Sequence, residues 1–257
     1  VALSTIQCFG QKETERFFKF SPGYAWQQGR DEGMSPLTYS GSLFNGVVGL
    51  HKLKNKHLTN FDLEAMAGRI RADLPKEVER SVADAFRVQL DYSQQYQVKT
   101  LHEEKIRVFV GASLNMLANG RLHKRYSNNN INYELSTSIG PSASILYDFE
   151  IGKRAFQLSG RMDLPLLAFN IRPAFASSIP EGFIAQESSN VGAFFESGRV
   201  QTLNRFFRLR NELALQHALK NGNRVFLAYR WDYYQIKTHH PVQMAVHQIL
   251  LGWLFQF

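Results

Sequence analysis

The chain has 257 residues, 30 Lys+Arg against 22 Asp+Glu for a formal net charge of +8, and is 44% hydrophobic, 13% aromatic and 20% charged. A mean hydropathy of −0.28 and the lack of any apolar run near the ~20 residues of a membrane helix exclude helical spans, and a composition this apolar excludes disorder. One cysteine, Cys8, excludes a disulfide framework and a cysteine-based zinc site, so the bulk numbers alone describe a basic soluble protein.

Residues Val1 to Gly10 are small and apolar and end just before Gln11 and a charged stretch, Lys12 to Arg16. The pattern reads as the remnant of a secretory signal peptide whose charged beginning is missing, and a mature chain starting at Gln11 resembles exported proteins of the Bacteroidota. Residues 11–257 then read as a single domain. Phe17 to Trp26, kinked at Pro22, is a candidate strand, and Tyr39 to Leu53 is a glycine-dotted second one. Phe61, Leu63, Ala65 and Ala67 alternate with Asn60, Asp62 and Glu64. In the connection Asp73 to Asp84, Val78, Val82, Ala85 and Phe86 fall at helical spacing after Pro75 and predict a short helix.

From Phe86 onward the period of two dominates, and that is the signature of a strand with chemically different faces. Phe86, Val88, Leu90, Tyr92, Tyr96 and Val98 oppose Arg87, Gln89, Asp91, Ser93, Gln95 and Gln97. Ile106 to Met116 and Tyr133 to Phe149 repeat the pattern, the second with Glu134 and Asp148 on its polar face. Phe156, Leu158, Met162, Leu164 and Leu166 oppose Gln157, Arg161 and Asp163. Leu203 to Leu219 places Arg208, Arg210, Glu212 and Gln216 together, although Arg205, Asn211 and His217 interrupt its apolar face. Val225 to Tyr233 opposes Arg224, Arg230 and Asp232, and Ile249, Leu251, Trp253, Phe255 and Phe257 end the chain on one aromatic face.

Ten candidate strands result, with twelve as the alternative count. Short turns at Asn55-Lys56, Thr100 to Glu103, Ile151 to Lys153 and Asn221 to Asn223 alternate with longer connections, Gln27 to Thr38, Asp73 to Asp84, Asn119 to Ile131 and Arg172 to Arg199, with Lys237 to Pro241 the short member of that set. This predicts an all-β, up-and-down antiparallel barrel. Aromatic residues near the strand ends, Tyr92 and Tyr96, Tyr133 and Tyr147, Tyr229 to Tyr234 and Trp253 to Phe257, are placed to form interfacial girdles. The last eight residues, Leu250 to Phe257, resemble the terminal targeting signal of Gram-negative outer-membrane β-barrels. Gly252, Phe255 and Phe257 match it, and Leu250 departs from it where a polar residue is usual.

That resemblance implies a transmembrane barrel in the bacterial outer membrane, with the assembly machinery pairing onto the last strand. Both termini and the short turns are then expected on the periplasmic side and the long loops outside, with closure hiding the sheet edges. The polar face becomes a lumen holding Arg87, Asp91, Arg107, Glu134, Arg161, Asp163, Arg208, Arg210, Glu212, Arg230 and Asp232, together with Asp62, Glu64 and Asp148. A bore of about ten strands is narrow enough for side chains to fill. The expectation is a plugged barrel acting as an accessory or scaffolding subunit of a larger outer-membrane complex. A narrow channel for ions or small solutes is one alternative.

Arg121, Lys124 and Arg125 form a basic cluster in an expected external loop and suit contact with outer-membrane lipid phosphates, including those of lipopolysaccharide. His123 and Ser127 invite comparison with outer-membrane phospholipases and lipid A deacylases, whose Ser–His pairs lie two residues apart on one strand face. The spacing of four here departs from that arrangement. A count of ten strands is also similar to the omptin proteases, but their acidic and Asp–His constellation has no match along this chain. His239 and His240 are adjacent and would point to opposite faces of a strand, so no metal site or cofactor is expected. The positive charge is dispersed and accompanied by no recognition motif, which argues against nucleic acid as a partner.

Overall fold

The computed structural model describes residues 14–73, 81–102, 105–124, 130–173, 179–180, 190–237 and 240–257. The proposed signal remnant at 1–10, Val78, Arg125, Ser127 and His239 lie outside them. The described residues form twelve strands, β1 (Thr14–Asp31), β2 (Ser35–Lys54), β3 (His57–Ala72), β4 (Val82–Leu101), β5 (Ile106–Leu122), β6 (Ile131–Ile151), β7 (Arg154–Asp163), β8 (Leu167–Ile171), β9 (Gly198–Thr202), β10 (Phe206–Ala218), β11 (Arg224–Ile236) and β12 (Val242–Gln256). Among the described residues one helix, α1 (Asn190–Glu196), lies between β8 and β9.

Ten of these strands close into an antiparallel barrel in the order β1 to β7, β10, β11, β12, and β12 returns to pair with β1 from Phe17↔Gln256 to Asp31↔Val242. The other two, β8 and β9, pair with each other and extend the sheet beside β6. They continue β7 and β10 beyond breaks at 164–166 and 203–205. Strand was expected through Leu166 and from Leu203. Pro165 has no N–H to donate, so the ladder is interrupted there, although Leu164 and Leu166 still donate to Pro141 O and Ile139 O at 3.1 and 2.9 Å.

The four tight turns share a backbone solution. Each needs a left-handed residue to reverse the chain, supplied by Asn55 (φ 52°), His102 (φ 53°), Gly152 (φ 64°) and Gly222 (φ 87°). All four lie at the same end of the barrel, the turn end. The opposite, loop end carries the remaining connections, but that between β1 and β2 is only residues 32–34. Gln27 to Asp31 and Ser35 to Thr38, expected as loop, are strand, because period-two alternation continues there in polar residues. The helix expected around Val82, Ala85 and Phe86 is likewise replaced by β4, where Ala83 and Ala85 point inward and Phe86 outward.

Strands of 20 residues in β2 and β4 and 21 in β6, at ~3.3 Å per residue and a tilt near 40°, stand about 50 Å tall, roughly twice the ~25 Å apolar belt of such barrels. The outer wall carries that belt: Phe44, Leu50, Leu63, Val88, Val110, Ile145, Met162, Leu213, Leu227, Ile249 and Leu251 are all exposed. Aromatic pairs flank it, with Phe18 on Phe255 and Phe20 on Trp253 toward the turn end and Trp231 on Tyr233 toward the loop end. Tyr234, expected in the girdle, faces inward and is 1% exposed.

Candidate functional site

The bore is the first place to look for function, and its filling changes in layers along the axis. At the turn end a small vestibule of about 90 Å³ is lined by Glu15, His51, Asn60, Arg161, Gln216 and Arg224, among others. Arg224 binds Glu15 at 2.8 Å and lies over the Phe17 ring, and Arg107 binds Asp148 at 2.7 Å beside Gln157.

Above the vestibule lies a charge layer, and here the partners meet across the bore as well as between neighbouring strands. On β11, Arg230 pairs with Glu212 of adjacent β10 at 2.8 Å, reaches Asp62 at 3.4 Å and also pairs with Glu64 on distant β3. Asp232 takes Arg208 at 2.6 Å and Arg87 on β4. In the closed ring four strands separate β4 from β11 in either direction, so the Arg87–Asp232 pair spans the full diameter. Arg210 pairs with Asp91, which also accepts from Gln89 at 2.7 Å, while Lys19 binds Asp62 at 2.9 Å. Arg161 binds Asp163 at 2.9 Å on the same strand. Ionised groups this deeply enclosed persist only when each finds an opposite charge, because the desolvation cost is several kcal/mol per ion.

The loop-end half holds an apolar cluster beside buried polar side chains such as Gln27, Asn119 and Ser136. Leu43, Met66, Ile70, Leu117, Phe206, Ile236, Val242, Met244 and Val246 all point inward and form one buried apolar cluster. Near its top, Arg121 binds Glu134 at 2.8 Å and also Asp31, which takes Arg172 at 2.7 Å. Beside this, Asn119 and Tyr234 share a hydrogen bond of 2.7 Å.

Every lumen charge named from the sequence lies on an inward strand face. Sequence reading missed the apolar layer, because along its β12 segment Val242, Met244 and Val246 face inward while Gln243 and His247 face outward, the reverse of the pattern followed elsewhere. It also missed Lys19, Asp31 and Gln89 as members of the network. Lys19 and Asp31 sit at single polar positions in a strand of mixed pattern, and Gln89 carries no charge. Arg121 requires a correction: it is no loop residue but part of β5, 1% exposed inside the barrel, since the strand continues to Leu122. Lys124 is exposed at the rim and pairs with Asp84 at 3.0 Å, which also takes Arg69 at 3.0 Å. His123 is buried, and the hydroxyl it meets is Ser81, itself 3.0 Å from Tyr39 Oη.

The outer wall is the second surface. Of the polar residues read as interrupting its apolar face, Arg205 lies in the turn before β10, off the belt. His217 Nδ1 is 3.1 Å from Ala155 O, and His247 Nδ1 is 2.6 Å from Tyr229 Oη. Asn211, between Met162 and Trp231 in the sheet register, has no such partner among the described residues.

Residues 18–257 match the model of a family described as "Protein of unknown function (DUF3316)". No curated protein matches the chain. Among solved structures, the outer membrane protease OmpT from Escherichia coli is similar with a TM-score of 0.51 at 5% identity, over 98% of this chain and 99% of that one. The β domain of the Bordetella autotransporter BrkA aligns at 9% identity and a TM-score of 0.42, over 94% and 99%. The translocator domain of autotransporter NalP from Neisseria meningitidis aligns at 9% and 0.37, over 93% and 88%. The likeness to the protease is one of fold, and the architecture is that of an outer-membrane β-barrel.

Proposed function

The chain belongs to the DUF3316 family, and from that premise and the filled bore we propose that it is an integral outer-membrane barrel that does not conduct and works as an accessory or scaffolding subunit of a larger outer-membrane assembly. The single observation that carries this reading is the double closure of the bore. A layer of ion pairs reaching from wall to wall, Arg87–Asp232 and Arg230–Glu64, lies below a packed apolar layer around Leu43, Phe206 and Met244. Either layer blocks hydrated ions, the first by filling the cross-section with paired charges and the second by filling it with apolar side chains. A barrel that passes nothing acts through its outer wall and its rims.

In this reading the exposed apolar belt lies in lipid, the tight turns face the periplasm and the longer connections face outward. Lys124 and Arg69, flanking Asp84 at the loop end, are then at the level of lipid phosphates and suit contact with them. The aromatic pairs Phe20–Trp253 and Trp231–Tyr233 anchor the two interfaces.

The test is twofold. Purified barrel reconstituted in planar bilayers is expected to remain silent, and steady single-channel steps sensitive to lumen substitutions would replace this reading with that of a narrow channel. Mild-detergent extraction followed by affinity capture and mass spectrometry is expected to recover the barrel with other outer-membrane proteins, whereas recovery without them would overturn the scaffolding role.

A further inference from the structure

The vestibule at the turn end holds a pattern of charge that the closure of the bore does not use. Its floor is the charge layer, and its mouth is apolar, with Leu53, Leu58, Leu146 and Leu254 along the wall toward the turns. Arg161 of β7 is in register with Glu212 of β10 on one side and with Ser144 of β6 on the other, and all three side chains line the cavity. Opposite charges side by side in a sheet ordinarily pair. These two do not, because each is held by another group. Arg161 donates Nε and Nη2 to Asp163 at 3.1 and 2.9 Å, and Glu212 accepts from Arg230 at Oε2, 2.8 Å away.

Each therefore keeps one end for the vestibule. Arg161 Nη1 and Glu212 Oε1 make no hydrogen bond among the described residues, and the two side chains stay 16% and 21% exposed inside the barrel. Ser144 is 6% exposed, and its hydroxyl likewise has no partner among the described residues. Asn60 lies on β3, diametrically opposite β10 in the ring of ten; it donates Nδ2 to Ser93 at 3.3 Å, and its Oδ1 makes no hydrogen bond among the described residues. The other charges around the cavity are committed, Asp62 to Lys19, His51 and Arg230, and Glu15 to Arg224. What remains is a cationic donor beside a hydroxyl, and an anionic acceptor facing an amide oxygen. A simple anion would meet Glu212 and Asp62 as well as Arg161, and a simple cation would meet Arg161 and Arg224, so like charge rejects both. A molecule carrying both charges is rejected by neither. The free volume of about 90 Å³, at ~10–15 Å³ for each water-sized position, takes on the order of half a dozen heavy atoms. That is the size of an ammonium and a carboxylate on one carbon, from which a side chain extends along the leucines of the mouth.

We propose that the vestibule is a binding site for a small zwitterion, an α-amino acid with an apolar side chain, whose carboxylate bonds Arg161 and Ser144, whose ammonium bonds Glu212 and Asn60, and whose side chain lies against Leu58 and Leu146. The site is a dead end beneath the charge layer, so it adds recognition to a barrel that passes nothing, and it stands whether or not the barrel assembles with other proteins. The test is equilibrium dialysis of the purified barrel in detergent micelles against radiolabelled L-leucine. The competitors are unlabelled leucine, 4-methylpentanoate, which lacks the ammonium, and 3-methylbutylamine, which lacks the carboxylate. Saturable uptake of one leucine per barrel is expected, with each singly charged analogue competing about tenfold or more less well than leucine, the loss that goes with one charge-assisted hydrogen bond. Arg161→Met and Glu212→Gln should each weaken uptake by a similar factor and Ser144→Ala by less, while Leu227→Ala on the outer wall changes nothing. Heat-modifiable gel mobility checks that each variant is a folded barrel, and the analogue series decides the matter on the unaltered chain. No saturable uptake of L-leucine overturns the proposal. Competition by either analogue as strong as by leucine itself also overturns it, because the cavity then does not read both charges. Uptake undiminished in folded Arg161→Met and Glu212→Gln barrels overturns it too, because the leucine is then bound elsewhere.

Discussion

Arg230 shows how much of this interior hangs on single side chains. It is 1% exposed and faces Glu64, Glu212 and Asp62, so its removal takes from Glu212 its one cation among the described residues and leaves Glu64 with only Arg210 and Asp62 with Lys19 and His51. Among the described residues Arg161 has one carboxylate partner, Asp163, and its side chain is 16% exposed to the vestibule. Stranding a buried charge costs about 3–5 kcal/mol, whereas a partly solvated pair is worth about 1 kcal/mol or less. Arg230→Met is therefore expected to lower the urea midpoint of the micelle-embedded barrel far more than Arg161→Met, and equal shifts would mean that water reaches the charge layer freely. The alternation legible in Val225 to Tyr233 placed Arg230 and Asp232 on the inner face. It could not name their partners, because Glu64 and Arg87 lie 166 and 145 residues away along the chain. Arg121 failed for a related reason: the polar residues ending β5 look like loop until the barrel wall is seen to continue past the belt.

At the level of elements, the closing seam between β12 and its neighbours sets the limits on change. Gly252 is wedged between Phe226 of β11 and Ser21 of β1, and a Cβ would lie 2.5 and 2.7 Å from their side chains. Gly252→Val is expected to cost about 1–3 kcal/mol through overpacking and to lower the folded yield on heat-modifiable gels. Phe226→Ala in the same chain should restore part of that yield, and no recovery would assign the role of Gly252 to assembly rather than packing. The terminal motif made Gly252 recognisable as a signal, and the structure adds a steric reason. Strand existence was clearest from Phe86 onward, where alternation over ten or more residues is hard to confuse with a helix, whereas the first three strands rested on shorter or glycine-dotted patterns. Strand ends were not readable. Leu164 and Leu166 continue the apolar rhythm and Leu203 starts one, yet Pro165 and the turn before Phe206 interrupt the ladder.

The whole barrel is sealed twice, and the two seals are physically independent. Neutralising the charge layer alone, as in Arg87→Ala with Asp232→Ala, should leave bilayers silent because Leu43, Phe206 and Met244 still close the loop-end half. Adding Leu43→Ala and Met244→Ala is expected to produce measurable ion leak, and leak from the charge-layer variant alone would show that the apolar layer does not seal. By itself the sequence determined the class of molecule. Period-two alternation and turn residues at Asn55, Gly152 and Gly222 pointed to a closed barrel, and the resemblance of the terminal aromatic strand to the outer-membrane signal set its apolar face outward. Which side chains meet was decided only by closure. Bringing β12 against β1 sets β4 opposite β11, and the diameter then lets Arg87 reach Asp232. Such contacts depend on distance through space, and a one-dimensional pattern carries only distance along the chain.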